Sequence, residues 1–267
     1  MTQLSPADST HPATTRYVGV STKMYMGYAE SLRWLRAVRH EVDTRPALAA
    51  GRVVPFVIPS FPVLPAAAEI FAGSPLVLGA QNAGWADGPW TGEVAPSMLA
   101  ELGVTLVELG HAERRRYFHE DDAMVAKKVT AALAAGISPL LCVGELEHAE
   151  PADAAAVVYE QIAAAVVDWG AAASIIIAYE PVWAIGADEP AQAGYISAVV
   201  HAVRILLGRH GMGSLPIIYG GSAKPGLLPE LDHVSGLFLG RFAHDAKNFG
   251  AVLDEALAEA ADNGNAH

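Results

Sequence analysis

The segment SIIIAYEPVWAI, Ser174 to Ile185, is an apolar, β-branched run that ends in one carboxylate, Glu180. A strand buried on both faces of a parallel sheet reads as such a run, and a carboxylate at its C-terminal end points to where α/β barrels build their active sites. Glu180 is therefore a candidate catalytic base, with Pro181-Val182-Trp183 behind it as a stiff hinge. Taken alone, the segment also fits an ordinary strand-end glutamate at the surface. Two further groups follow other apolar runs: Lys23 in Ser21-Thr22-Lys23-Met24, and His111 in Gly110-His111-Ala112-Glu113-Arg114-Arg115. A lysine, a histidine and a carboxylate at the same end of one barrel form an acid/base set. Singly, each has a plainer reading, as a solvated lysine or a satisfied structural histidine.

Short apolar runs alternate along the chain with longer, alanine-rich amphipathic stretches. Strands are predicted at Tyr17–Ser21, Val53–Ile58, Leu76–Ala80, Leu106–Leu109, Ser138–Cys142, Ser174–Tyr179, Ile217–Tyr219 and Leu237–Leu239. Helices are predicted at Ala29–Val42, Asp122–Ala135, Ala152–Trp169, Ala191–His210 and Ala246–Ala261. Eight strands alternating with helices, with no linker or break in composition, point to an α/β fold, a single (β/α)8 barrel closed by eight parallel strands. The 267 residues suit that architecture, which typically takes ~250. In it, function belongs to the loops after the strands. Besides the three groups above, these loops carry Gln81-Asn82, Gly220-Gly221-Ser222 and Gly240-Arg241. The glycines at 220 and 221 allow backbone N–H groups to converge on a phosphate, although a plain turn has the same composition. Gln81 and Asn82 are expected to order loops.

Composition narrows the function classes. With 52% apolar and 17% charged residues the chain can build a sizeable core. The net charge of −12 argues against nucleic acid or an anionic membrane surface as partner, since both are bound through basic patches. No apolar run reaches the ~20 residues needed to span a bilayer. The first 15 residues read as a disordered tail ahead of a catalytic domain at 16–267, and they lack the basic-then-apolar pattern of a secretory signal. One cysteine, Cys142, cannot form an intrachain disulfide and fits a reducing cytoplasm, as a buried thiol in a strand. No dinucleotide or nucleoside triphosphate motif is present.

The segments GAQN at 79–82, TGEVAP at 91–96, ELGVTLVELGHAERR at 101–115, CVGE at 142–145, AYEPVWAIG at 178–186 and YGGSAKP at 219–225 resemble the triosephosphate isomerase family, in its order and at nearly its spacing. The resemblance covers the chain from about Val18 to Leu257. It implies a TIM-barrel, aldose–ketose type isomerase that needs no metal or organic cofactor and works as a homodimer, with the loop from Trp85 to Glu93 reaching into the partner. It carries the family's catalytic roles onto Lys23, His111, Glu113 and Glu180. Moving a carbonyl to the neighbouring carbon requires removing a C–H proton, a task for Glu180. A neutral His111 would stabilise the enediolate oxygens, as the imidazole of triosephosphate isomerase does with its pKa lowered by a helix N-terminus, a helix that the stretch HAERRRYF directly after the fourth strand would supply here. Lys23 would supply fixed positive charge, and Glu113 would orient the lysine or shuttle a proton.

Departures from the family pattern cluster at the substrate end. Ser21 stands where the family has asparagine, so a short hydroxyl replaces an amide. Only Ala187-Asp188 separate Gly186 from Glu189-Pro190, a lid about three residues shorter than the family's. The family's Gly-Gly pair in the eighth loop reads Gly240-Arg241, bringing a guanidinium suited to bidentate phosphate recognition or to a surface ion pair. Ser21, Gly186, Gly220, Gly221, Ser222, Gly240 and Arg241 are accordingly the expected substrate and phosphate contacts. The STKMYMGY start and GRFAHD end are similar to the branch acting on four-carbon ketose phosphates in erythritol catabolism. That similarity implies interconversion of L-erythrulose 1-phosphate and D-erythrulose 4-phosphate. Ordinary triosephosphate isomerisation is the alternative, and a non-catalytic phosphosugar-binding barrel is the third.

Overall fold

A computed structural model describes residues 15–185 and 191–265. The eight apolar runs form β1 (Arg16–Ser21), β2 (Val53–Ile58), β3 (Val77–Ala80), β4 (Leu106–Leu109), β5 (Ser138–Val143), β6 (Ile176–Tyr179), β7 (Ile217–Gly220) and β8 (Gly236–Leu239). Neighbouring strands pair in chain order, all parallel, and β8 returns to β1 to close the barrel. Closure leaves no free strand edge and buries the strands on both faces, which is why they are apolar throughout.

The outward residues, such as Val18 and Val20 of β1 and Val107 and Leu109 of β4, pack in one cluster with the apolar stripes of the helices. Those helices are α1 (Tyr28–Asp43), α2 (Leu64–Phe71), α3 (Pro96–Glu101), α4 (Ala112–Phe118), α5 (Asp122–Ala134), α6 (Pro151–Ala165), α7 (Ala193–Gly208) and α8 (Ala246–Asn265). Inward residues fill the lumen as a second cluster: Phe56, Ile58, Leu106, Leu140, Cys142, Ile176, Ala178, Ile218 and Phe238. Gly19 belongs to this packing, because a Cβ there would lie 2.0 Å from the Phe56 ring.

This two-residue alternation positions the site. Two residues beyond Gly19, Leu106, Ala178, Ile218 and Phe238 come Ser21, Glu108, Glu180, Gly220 and Gly240, at the C-terminal mouth of the lumen.

Several predicted boundaries shift. The helix predicted to Trp169 stops at Ala165, because Val166 is extended and the Asp168 side chain accepts the Gly170 N–H, starting a separate 3-10 turn over Trp169–Ser174. That turn takes Ser174 out of the sixth strand. Helices α2 and α3, of 8 and 6 residues, were absent from the sequence reading, being too short to show periodicity, whereas α4 is the helix expected from HAERRRYF. Residues 1–14 of the expected tail, and Gly186 with the shortened loop at 187–190, lie outside the described residues. No helix among the described residues is long and apolar enough to cross a membrane.

Candidate active site

Lys23, His111, Glu113 and Glu180 line one cavity of about 460 Å³ at the mouth of the barrel. Ser21, Gly220, Gly221, Ser222, Gly240 and Arg241 line it too. The sequence reading placed all ten at one barrel end, and the fold brings them together. A larger cavity of about 780 Å³ shares Glu113, Glu180 and Ile185 with it. That cavity contains neither Lys23 nor His111 nor the glycine-rich turns, so the smaller one holds the chemistry.

Glu180 leaves the end of β6 with its backbone N–H donating to the Val143 carbonyl at 2.8 Å. Its side chain is buried, and Oε2 has no hydrogen-bond partner. A Cβ on Gly220 would sit 2.5 Å from Glu180 Oε1, so the glycine makes room for this carboxylate. Burial, and then the charge of Glu108, push the Glu180 carboxyl up to about 8 against the opposing pull of Lys23. Its weak solvation makes it a strong base once ionised.

His111 is the N-cap of α4, and its Nδ1 accepts the Glu113 N–H at 3.1 Å. A nitrogen that accepts a backbone donor carries no proton, so the proton resides on Nε2. That nitrogen faces Glu180 Oε2 at 3.4 Å and Glu108 Oε1 at 3.8 Å. Burial, followed by the Lys23 charge, holds the imidazole pKa well below its ordinary value. The ring is thus a neutral hydrogen-bond donor at physiological pH.

Lys23 follows β1 with φ 47°, in the left-handed region, a conformation that costs a non-glycine residue about 1–3 kcal/mol. Its carbonyl is fixed by Gln81 Nε2 at 2.9 Å and Ser60 Oγ at 2.7 Å, bearing out Gln81 as a loop-ordering residue. Its ammonium donates to Glu113 Oε1 at 2.7 Å. Burial lowers the lysine pKa, but the Glu113 bond and charge outweigh it, so the net shift is upward and the charge persists.

Glycine-rich turns after β7 and β8 form the opposite wall. Arg241 opens a short 3-10 turn with its guanidinium carbon 5.9 Å from the Tyr25 ring, and it makes no ion pair among the described residues. Behind the site, Tyr179, Trp183 and Tyr195 donate to Glu145 Oε1 at 3.2, 2.7 and 2.9 Å, pinning the Pro181–Trp183 hinge. The sequence reading missed Glu145 as this anchor. It missed Glu108 as well, whose signal was a lone carboxylate two residues beyond Leu106 in a strand run.

The two carboxyls titrate as a pair, Glu108 being raised to about 7 by burial and Glu180 to about 8. If Glu180 must be ionised to react, kcat/KM is expected to fall about tenfold per unit as pH drops below this range. No acidic-side rescue comes from His111, which is already neutral. A flat kcat/KM profile from pH 6 to 9 would contradict this assignment.

Comparison with known proteins agrees with the fold. The family described as triosephosphate isomerase matches residues 16–256. An L-erythrulose-1-phosphate isomerase of Pectobacterium atrosepticum is 45% identical over 246 residues, covering 90% of this chain and 95% of its own. One of Brucella melitensis is 40% identical over 256 residues, covering 90% and 96%. The crystal structure of triosephosphate isomerase from Bartonella henselae superposes with a TM-score of 0.77 at 31% identity, covering 91% of this chain and 99% of that one. This chain belongs to the triosephosphate isomerase family and is an isomerase.

Proposed function

We propose that this isomerase interconverts L-erythrulose 1-phosphate and D-erythrulose 4-phosphate by proton transfer through an enediolate. The observation that carries the reaction type is the buried, unpartnered Oε2 of Glu180 facing the Nε2–H of a neutral histidine at 3.4 Å, beside a fixed lysine charge. The four-carbon substrate is supported by relatives at 45% and 40% identity named for it, against 31% for the structure named for the triose.

The turns carrying Gly220, Gly221, Ser222 and Gly240 receive the phosphate through backbone N–H groups, with the Ser222 hydroxyl and the Arg241 guanidinium adding donors. With the phosphate there, Glu180 takes the proton from C3. The C3–H electron pair becomes the C2–C3 double bond, and the former carbonyl oxygen on C2 takes the negative charge. His111 Nε2–H and the Lys23 ammonium stabilise that charge, and donors already in place pay no reorganisation cost. The hydroxyl proton on C3 moves to the C2 oxygen through the imidazole. Glu180, its proton having exchanged with solvent, then protonates C2, leaving the ketone on C3. Atoms balance without oxidant, metal or cofactor. Glu113 holds Lys23 in position.

A non-catalytic binder would have no use for a base held buried and unpartnered at the cavity. We also infer a homodimer, which is supported by the loop from Trp85 to Glu93 with Trp90 exposed and packed at 4.8 Å on Trp85.

The substrate is tested by assaying L-erythrulose 1-phosphate, D-erythrulose 4-phosphate and dihydroxyacetone phosphate side by side. The tetrulose phosphates are expected to give the higher kcat/KM by at least about tenfold, the discrimination one carbon unit provides in a shaped pocket. A preference for the triose would assign the ordinary glycolytic substrate instead.

A further inference from the structure

Glu108 is a buried carboxylate that the steps above leave without a task. It stands on β4, on the same strand face as Leu106, and so projects into the lumen at its C-terminal mouth. It lines the substrate cavity and is only 4% exposed. Among the described residues it has no Lys or Arg ion-pair partner, and the neutral His111 ring lies beside it with Nε2 at 3.8 Å. After burial, the strongest influence on it is the Ser21 hydroxyl. Taking a carboxyl out of water without a cation is costly, so a buried carboxyl lining the cavity gains from a polar group of the ligand that can bond it.

The barrel's geometry says which part of a ligand that partner is. Strands β4 and β8 lie opposite each other in a closed barrel of eight. A phosphate held by the turns after β7 and β8 sends the rest of the molecule across the mouth toward β4. On that side of the cavity lie His111 and, 3.8 Å from its Nε2, the Glu108 carboxyl, and the short Ser21 side chain lines the same space.

We propose that Glu108 is a specificity-determining residue that hydrogen-bonds the terminal hydroxymethyl of a four-carbon ketose phosphate, in space left open by Ser21. This rests on the tetrulose phosphate reading and names the group that reads the extra carbon. A three-carbon substrate has no atom to reach this carboxyl. A four-carbon one without such a partner would bury its hydroxyl unsatisfied.

The test uses the full-length wild type, E108Q and E108V, with L-erythrulose 1-phosphate and dihydroxyacetone phosphate. Solvent deuterium exchange into each compound is followed by NMR, alongside kcat/KM. The preference for the tetrulose is expected to fall on the order of 100-fold in E108V and by less in E108Q, whose amide still bonds a hydroxyl at nearly the same volume. Circular dichroism of E108Q controls for folding. Equal slowing of both substrates would make Glu108 a support for His111 and Glu180, and overturn the proposal. An unchanged ratio in both variants would overturn it too. A wild type that exchanges no deuterium into the tetrulose phosphate defeats the functional reading itself, an outcome distinct from either of these.

Discussion

Glu180→Gln is expected to reduce turnover by on the order of 10³-fold or more, to remove solvent exchange at the reacting carbons, and to leave the protein more stable. The kinetic loss follows from the base being the one group that takes the carbon-bound proton, a role worth about 10²–10⁴ for positioned acid–base catalysis. The amide keeps the size of the carboxyl and the room that Gly220 leaves for it. The stability gain follows from linkage. The carboxyl's native pKa is raised from 4.5 to about 8. Below pH 4.5 it is neutral in both folded and unfolded chains and costs nothing. Between 4.5 and 8 the unfolded chain ionises first, so native stability falls as pH rises, and above 8 the penalty is constant. An amide has no such penalty, so the stabilisation should reach roughly 2–4 kcal/mol at pH 8 and nearly vanish at pH 4.5. Thermal unfolding of both proteins at pH 5 and pH 8 checks this. A variant less stable than wild type at pH 8 would mean that Glu180 is held by favourable contacts rather than poised as a base.

The second large effect is expected at Lys23. Lys23→Met keeps an unbranched side chain and removes the lysine charge that the titration of both His111 and Glu180 registers. A loss on the order of 10²–10³ in kcat is expected from removing one preorganised donor to the developing oxyanion. KM should rise as well, because the same ammonium attracts the anionic substrate in a chain whose net charge is −12. The variant should shift the pH profile in a second, diagnostic way. Lys23 lowers the Glu180 pKa, so without it the acidic limb of kcat/KM moves to higher pH. A variant with raised KM but unchanged kcat and pH profile would confine Lys23 to phosphate binding.

Much of this site was legible in the sequence because the barrel makes it so. Strands that are apolar throughout end at one rim, and a residue just after such a run lies at the mouth. Lys23, His111, Glu180 and the glycines at 220 and 221 were therefore locatable from the ends of apolar runs. Glu113 and the substrate-end changes at Ser21 and Arg241 needed comparison with a familiar pattern. What escaped were features depending on the orientation of side chains within a strand. Glu108 sits inside the run LVEL, where both faces are buried and no polar alternation marks the lumen side. Only the packing of Leu106 among Phe56, Leu140 and Phe238 reveals that residue 108 faces inward. Glu145 escaped for a related reason: its three donors come from residues 34 to 50 positions away. The short helix α4 was legible from HAERRRYF, but not that its Glu113 N–H sets the tautomer of His111.

The proton-transfer step is tested most directly by running the wild-type reaction on L-erythrulose 1-phosphate in D2O and locating deuterium in the product by NMR. Abstraction by Glu180 through an enediolate is expected to place solvent deuterium on the newly formed carbinol carbon, and Glu180→Gln should incorporate none. Product formed at full rate with its carbon-bound hydrogens all retained would indicate a hydride shift, and would contradict the role given to Glu180.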